Sequence, residues 1–218
     1  MESAIAIIFQ LAILIFSVVI HEVSHGLAAN ALGDPTAKYA GRLTLNPAKH
    51  LDPVGSVLVP LATFIIPRLL GGAGFIIGWA KPVPYNPYLL RNVAYGPALV
   101  GAAGPLSNIA VAVFFGLLIR MAGLWGAIAP GAAPALLPVF SAIVVINLVL
   151  AIFNLVPIPP LDGSKVLFAL LPAGWERVEV FLERFGIPLL IVFIFYFAGI
   201  IFPIVALLFR LITGGALF

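Results

Sequence analysis

Apolar residues come along this chain in long unbroken runs, not in the alternating or one-faced patterns of a water-soluble fold. Four runs, at residues 4–32, 93–119, 132–155 and 187–211, are long enough for the roughly 20 helical residues that cross ~30 Å of hydrocarbon. The last is interrupted by Gly199 and Pro203. Between the first two runs, residues 51–84 are apolar but punctuated by Pro60, Pro67, Gly71, Gly72 and Gly74. That segment closes with FIIGWA, a piece of strand-like length, and the turn cluster KPVPYNP. It is either a span or a re-entrant hairpin, because irregular backbone at membrane depth survives only against protein or a water-filled cavity. The stretch GWERVEVFLERFG (174–186) sets Glu176, Arg177, Glu179, Glu183 and Arg184 into an apolar background. It is predicted to lie as a helix at the membrane surface before the last span.

Composition turns this pattern into a class. The 218 residues are 63% hydrophobic and 9% charged, with a mean hydropathy of +1.21, whereas soluble domains carry about 25% charged residues. The expectation is an all-α polytopic membrane protein forming one integral-membrane unit over residues 1–218. It has about four transmembrane helices plus a re-entrant hairpin at 51–84 with room for short β-strands. The first run opens with Glu2, has no early Lys or Arg and meets no polar break, so a retained span is expected there, not a cleaved signal. A formal charge of +3 is too small to argue for nucleic acid, and the basic residues read better as topology signals. Without cysteine, disulfides and thiolate metal sites are excluded.

One feature contradicts the hydrocarbon background. HEVSH (21–25) follows about 17 residues in which Gln10 and Ser17 are the polar side chains. Ionisable groups at such depth are costly, which marks them as functional. On a helix, His21 and His25 are four apart and share a face, so both imidazoles can reach one metal ion. Glu22 lies beside them, able to reach a water on that metal without being a ligand. This is the zinc-protease arrangement, with Glu as general base.

A catalytic zinc takes a third protein ligand and keeps one position open. The other candidates are His50 and the carboxylates of Asp34, Asp52, Asp162, Glu176, Glu179 and Glu183. Asp162 stands out in NLVPIPPLDG (154–163), where three prolines forbid regular helix. It is a candidate ligand, and also a candidate cap for a helix starting near Gly163. The histidines lie towards the C-terminal end of the first run and Asp162 just past that of the third. They meet only if those runs are parallel, with an odd number of crossings between them. Residues 93–119 supply one, so 51–84 must enter and leave on one face. With the N-terminus outside, this places Lys38, Arg42, Lys49, Lys81, Arg91, Lys165, Arg177 and Arg184 inside, against Arg68, Arg120 and Arg210 outside or at the hairpin tip. Treating 51–68 as a full span removes that bias, so the positive-inside rule also selects the hairpin.

On these motifs the chain resembles the site-2 proteases, the intramembrane zinc metalloproteases. HEVSH (21–25), NLVPIPPLDG (154–163) and GPLSN (104–108) match the family's metal, aspartate and glycine–asparagine motifs. GRLTLNPAKHLDPVGS (41–56) also reads as theirs, and the likeness extends to about residue 170. With no PDZ or CBS domain visible, the compact bacterial type is expected. The resemblance implies one catalytic Zn2+ held by His21, His25 and Asp162, with Glu22 as general base. It implies substrate contacts at Asn154 and Asn108, although Gly101, Gly104 and Ser107 equally suit close helix packing in lipid. The implied reaction is hydrolysis of a peptide bond in or near the transmembrane segment of a membrane-protein substrate, within the lipid bilayer. The implied location is the cytoplasmic membrane, with the site towards the cytoplasmic face. FIIGWA is a candidate edge for pairing with an unwound substrate strand. The competing class is a metal-ion or solute transporter using the same His/Asp cluster, which predicts inverted repeats; none is visible.

Overall fold

The computed structural model describes residues 2–59, 62, 65–66, 80–128, 131–172 and 174–215. Among these no β-strand occurs. The first apolar run forms α1 (Glu2–Ala31), and a short helix α2 (Thr36–Tyr39) follows it. The second and third runs form α3 (Gly96–Arg120) and α5 (Ala132–Asn154), joined through the short α4 (Ala122–Ile128). The helices α1, α3 and α5 have the length and apolarity to cross a membrane.

Helix α3 is the centre of the bundle, packed against α1 on one side and α5 on the other. Small residues make this possible, because lipid supplies no hydrophobic drive between helices and close backbone approach must serve instead. A methyl group on Gly104 would collide with the His21 and His25 rings of α1, and one on Gly116 with Ile212 further along the chain. Ala112 of α3 joins Val144, Leu148, Ile201, Val205 and Phe209 in the main apolar core. Large apolar side chains such as Phe9, Phe16, Phe114, Leu117 and Phe195 instead face outward. In water such a surface would drive association; against acyl chains it is the expected exterior.

After α5 the chain turns through its prolines into α6 (Asp162–Leu170), then enters α7 (Glu176–Tyr196) and α8 (Ile201–Thr213). From Glu176 on, the predicted surface stretch and the start of the fourth span are one continuous helix, α7, running through Pro188. The break in the fourth run falls at a 3-10 turn, Ala198–Ile200, where α7 and α8 meet at 70°. Gly199 lies at that break as expected. Pro203 lies in the first turn of α8, where a missing N–H costs nothing.

The two ends of the 51–84 segment meet. Lys81 N–H donates to the His50 carbonyl at 2.8 Å, and Arg42 donates to the Lys81 carbonyl at 2.6 Å. Entry and exit therefore share one face. At the entry, a π-helical turn (Pro53–Leu58) is capped by Asp52, whose Oδ1 accepts from the Val54 and Gly55 amides. The predicted hairpin tip, and FIIGWA except Ala80, lie outside the described residues.

Candidate metal centre

His21 and His25 project from the last three turns of α1, both buried, with ring centroids 4.7 Å apart. Their protonation follows from their partners. His21 Nδ1 lies 2.6 Å from Asn108 Oδ1 on α3. The Asn108 amide nitrogen donates to the Ser17 carbonyl at 3.2 Å and to Asn147 Oδ1 at 2.8 Å, which leaves its oxygen facing the ring. An amide oxygen only accepts, so Nδ1 of His21 carries a proton, and Nε2 is the ring nitrogen turned towards the other donors. His25 Nδ1 donates in the same way to the Val100 carbonyl at 2.6 Å.

Both Nε2 atoms converge on one carboxylate oxygen, Asp162 Oδ2, at 3.0 and 3.1 Å. Two imidazole nitrogens and a carboxylate oxygen drawn to one point make a donor set that a divalent cation takes. Tetrahedral zinc with bonds of ~2.0–2.1 Å sets its ligands about 3.3 Å apart, so donor types and spacing both fit. The floor beneath them is Gly104, where a methyl group would come within 2.5–2.6 Å of both Nε2 atoms. The glycine thus keeps open the volume that an ion would need.

Glu22 lies next to this cluster, one of its carboxylate oxygens within 4.8 Å of the histidine nitrogens. Its Oε2 accepts from Val83 N–H at 2.9 Å, so the backbone at Val83 aims the carboxylate. Asp162 opens α6 but caps nothing; the cap position is Leu161. Its second oxygen, Oδ1, accepts from Lys165 Nζ at 2.9 Å. A cleft of about 170 Å³ opens over the cluster, lined further by Tyr85 and Asn154.

The structure brings together His21, Glu22, His25 and Asp162, with Asn154 on the cleft wall, where its amide nitrogen also donates to the Leu150 carbonyl. Asn108 is placed differently from the expectation. It is fully buried, lines no part of the cleft, and is taken up by His21, Ser17 and Asn147. It orients an imidazole instead of touching substrate, because no side-chain atom is left to reach outward. The remaining candidates lie elsewhere. His50 donates Nε2–H to the Thr44 carbonyl at 2.8 Å, and Asp34 ties the end of α1 to Asn86. Sequence reasoning missed Asn147, Ser17, Val83 and Lys165. Only Asn147 carried a usable signal, as a lone amide inside an apolar span.

A membrane bundle that draws two imidazole nitrogens onto a carboxylate oxygen, with a second carboxylate beside them, carries the donor set of a zinc metalloprotease. The comparisons with known proteins agree. A family model described as "Peptidase family M50" matches residues 119–197. Three relatives share the name "Putative zinc metalloprotease". YwhC of Bacillus subtilis is 38% identical, covering 83% of this chain and 78% of its own. Rip2 of Mycolicibacterium smegmatis is 29% identical, covering 82% of this chain but 63% of its own, so this chain spans less than two thirds of that relative. MJ0611 of Methanocaldococcus jannaschii is 39% identical over 46% of each chain. No solved structure matches the chain significantly. The chain belongs to peptidase family M50, the site-2 protease family.

Proposed function

We infer that this metalloprotease cuts a peptide bond in or near the transmembrane segment of another membrane protein, with its site towards the cytoplasmic face. The observation that carries the reading is the depth of the donor set: His21 and His25 sit on a helix able to cross the membrane. A protease for soluble peptides has no reason to place its ligands there. The inward bias of basic residues supports the orientation, and so does the meeting of His50 with Lys81.

His21, His25 and Asp162 would hold the zinc, and zinc when bound lowers the pKa of a water to about 7 and polarises a carbonyl. Glu22 takes the proton from the attacking water and passes it to the leaving amine as the C–N bond breaks. The Val83 amide keeps the Glu22 carboxylate turned towards the cleft while this happens. Asn154, on the cleft wall, can hydrogen-bond a substrate peptide group once the substrate helix has unwound. That unwinding is required because helical peptide groups are already paired.

The test replaces Glu22 with Gln in protein reconstituted with single-span membrane proteins. The variant retains zinc and cleaves none of them, whereas the parent cleaves at a site within or bordering the span. Cleavage by Glu22→Gln would overturn the mechanism. A parent that cuts soluble peptides while sparing every membrane-spanning protein would overturn the substrate class.

A further inference from the structure

Lys165 has no part in the chemistry above, yet its placement is specific. Asp162 turns its two oxygens in different directions: Oδ2 to the two histidine nitrogens, at 3.0 and 3.1 Å, and Oδ1 to Lys165 Nζ, at 2.9 Å. Lys165 is three residues on along α6, so one helical turn carries both groups to the same side. Its stem lies against Gly101 of α3, where a methyl group would come within 3.0 Å of both its Cβ and its Cδ. Its ammonium lies 5.6 Å from the centre of the Tyr85 ring, within cation–π reach. The Asp162 side chain is 10% exposed and that of Lys165 32%, so the pair is not a loose surface contact of the kind worth little.

A carboxylate can bind a cation through one oxygen or through both. Two-oxygen binding would add a fifth donor beside the water and crowd the position that a catalytic zinc must keep open. Nothing in Asp162 itself decides between these modes; a cation clamped on Oδ1 does. We propose that Lys165 is a positioning residue that holds Asp162 as a single-oxygen ligand and so preserves the open coordination position. The proposal rests on the zinc-site reading above.

Cobalt(II) in place of zinc reports the coordination number directly. The parent protein, purified and loaded with cobalt, shows the intense visible bands of a four-coordinate ion. In Lys165→Met, which keeps the stem packed on Gly101, cobalt still binds but those bands weaken towards the five-coordinate pattern, while Lys165→Arg retains them. Cleavage in Lys165→Met falls through kcat with KM little changed. A Lys165→Met spectrum identical to the parent's would overturn the proposal, as would equal loss of the bands in Lys165→Arg, which would assign the effect to stem shape. Lys165→Gln gives the same comparison should the Met variant fold poorly. A parent that takes up no cobalt would instead overturn the zinc site itself, which separates the two failures.

Discussion

His21 donates its Nδ1 proton to Asn108 Oδ1 across 2.6 Å, and this bond joins α1 to α3 directly behind the candidate metal position. Outer partners of this kind fix the tautomer and ring orientation of a ligand, and losing one typically costs about 10–100-fold in metal affinity. Asn108→Ala is therefore expected to weaken zinc binding within that range, measured by competition with a chelator. An unchanged affinity would remove Asn108 from the site.

Asn147 acts one step further back. Its Oδ1 accepts from Asn108, and its Nδ2 donates to Ser17 Oγ at 2.9 Å and to the Ile143 carbonyl at 2.8 Å. Asn147→Leu leaves one of the two Asn108 amide N–H groups unpaired in a fully buried site, at a cost of about 1–3 kcal/mol. The expected result is a lower thermal midpoint in detergent and a smaller loss of zinc affinity than in Asn108→Ala.

Gly104 admits no side chain beneath the histidines. Gly104→Ala is expected to push the imidazoles off their common point and lower zinc occupancy by at least the ~10-fold scale of an outer-partner loss. Gly123 in α4 has nothing within 4 Å of an added methyl group, so Gly123→Ala is the control. It should leave metal content unchanged, as read by elemental analysis of both purified variants.

Asp34 should make stability depend on pH. Burial opposes its charge, but hydrogen bonds from Thr36 and from the Asn86 amide outweigh that and hold its carboxyl below the usual range. A lowered folded-state value means the stabilisation is present above the unfolded value of about 3.9. It is lost as pH falls through the folded value. Asp34→Asn is expected to be less stable than the parent by about 1–3 kcal/mol at pH 7. The gap between their thermal midpoints should close as the buffer is taken below pH 4; a gap independent of pH would contradict this role.

What the sequence determined by itself is what hydrocarbon and helical spacing enforce locally. Runs of about 20 apolar residues have few solutions in a bilayer, so α1, α3 and α5 were legible almost to their ends. His21 and His25 share a face because they are four apart on one helix, and their depth marked them as functional before any partner was known. The prolines before Asp162 singled it out from the other carboxylates, although whether it capped a helix or faced the histidines was open. The fourth run was less legible: its charged approach and apolar start are one helix, because a proline at 188 did not end it.

Tertiary structure alone decided which groups stand behind the ligands. Asn108 meets His21 from 87 residues away, Val100 meets His25 from 75, and Val83 meets Glu22 from 61. No local pattern encodes such pairs. A polar residue inside an apolar span shows that it must turn away from lipid, but its partner depends on the rotation and depth of another helix. Those are set by packing at residues such as Gly101, Gly104 and Gly116, whose missing side chains say only that something comes close. The sequence therefore named most of the atoms that could bind a metal, and the bundle determined how each is held.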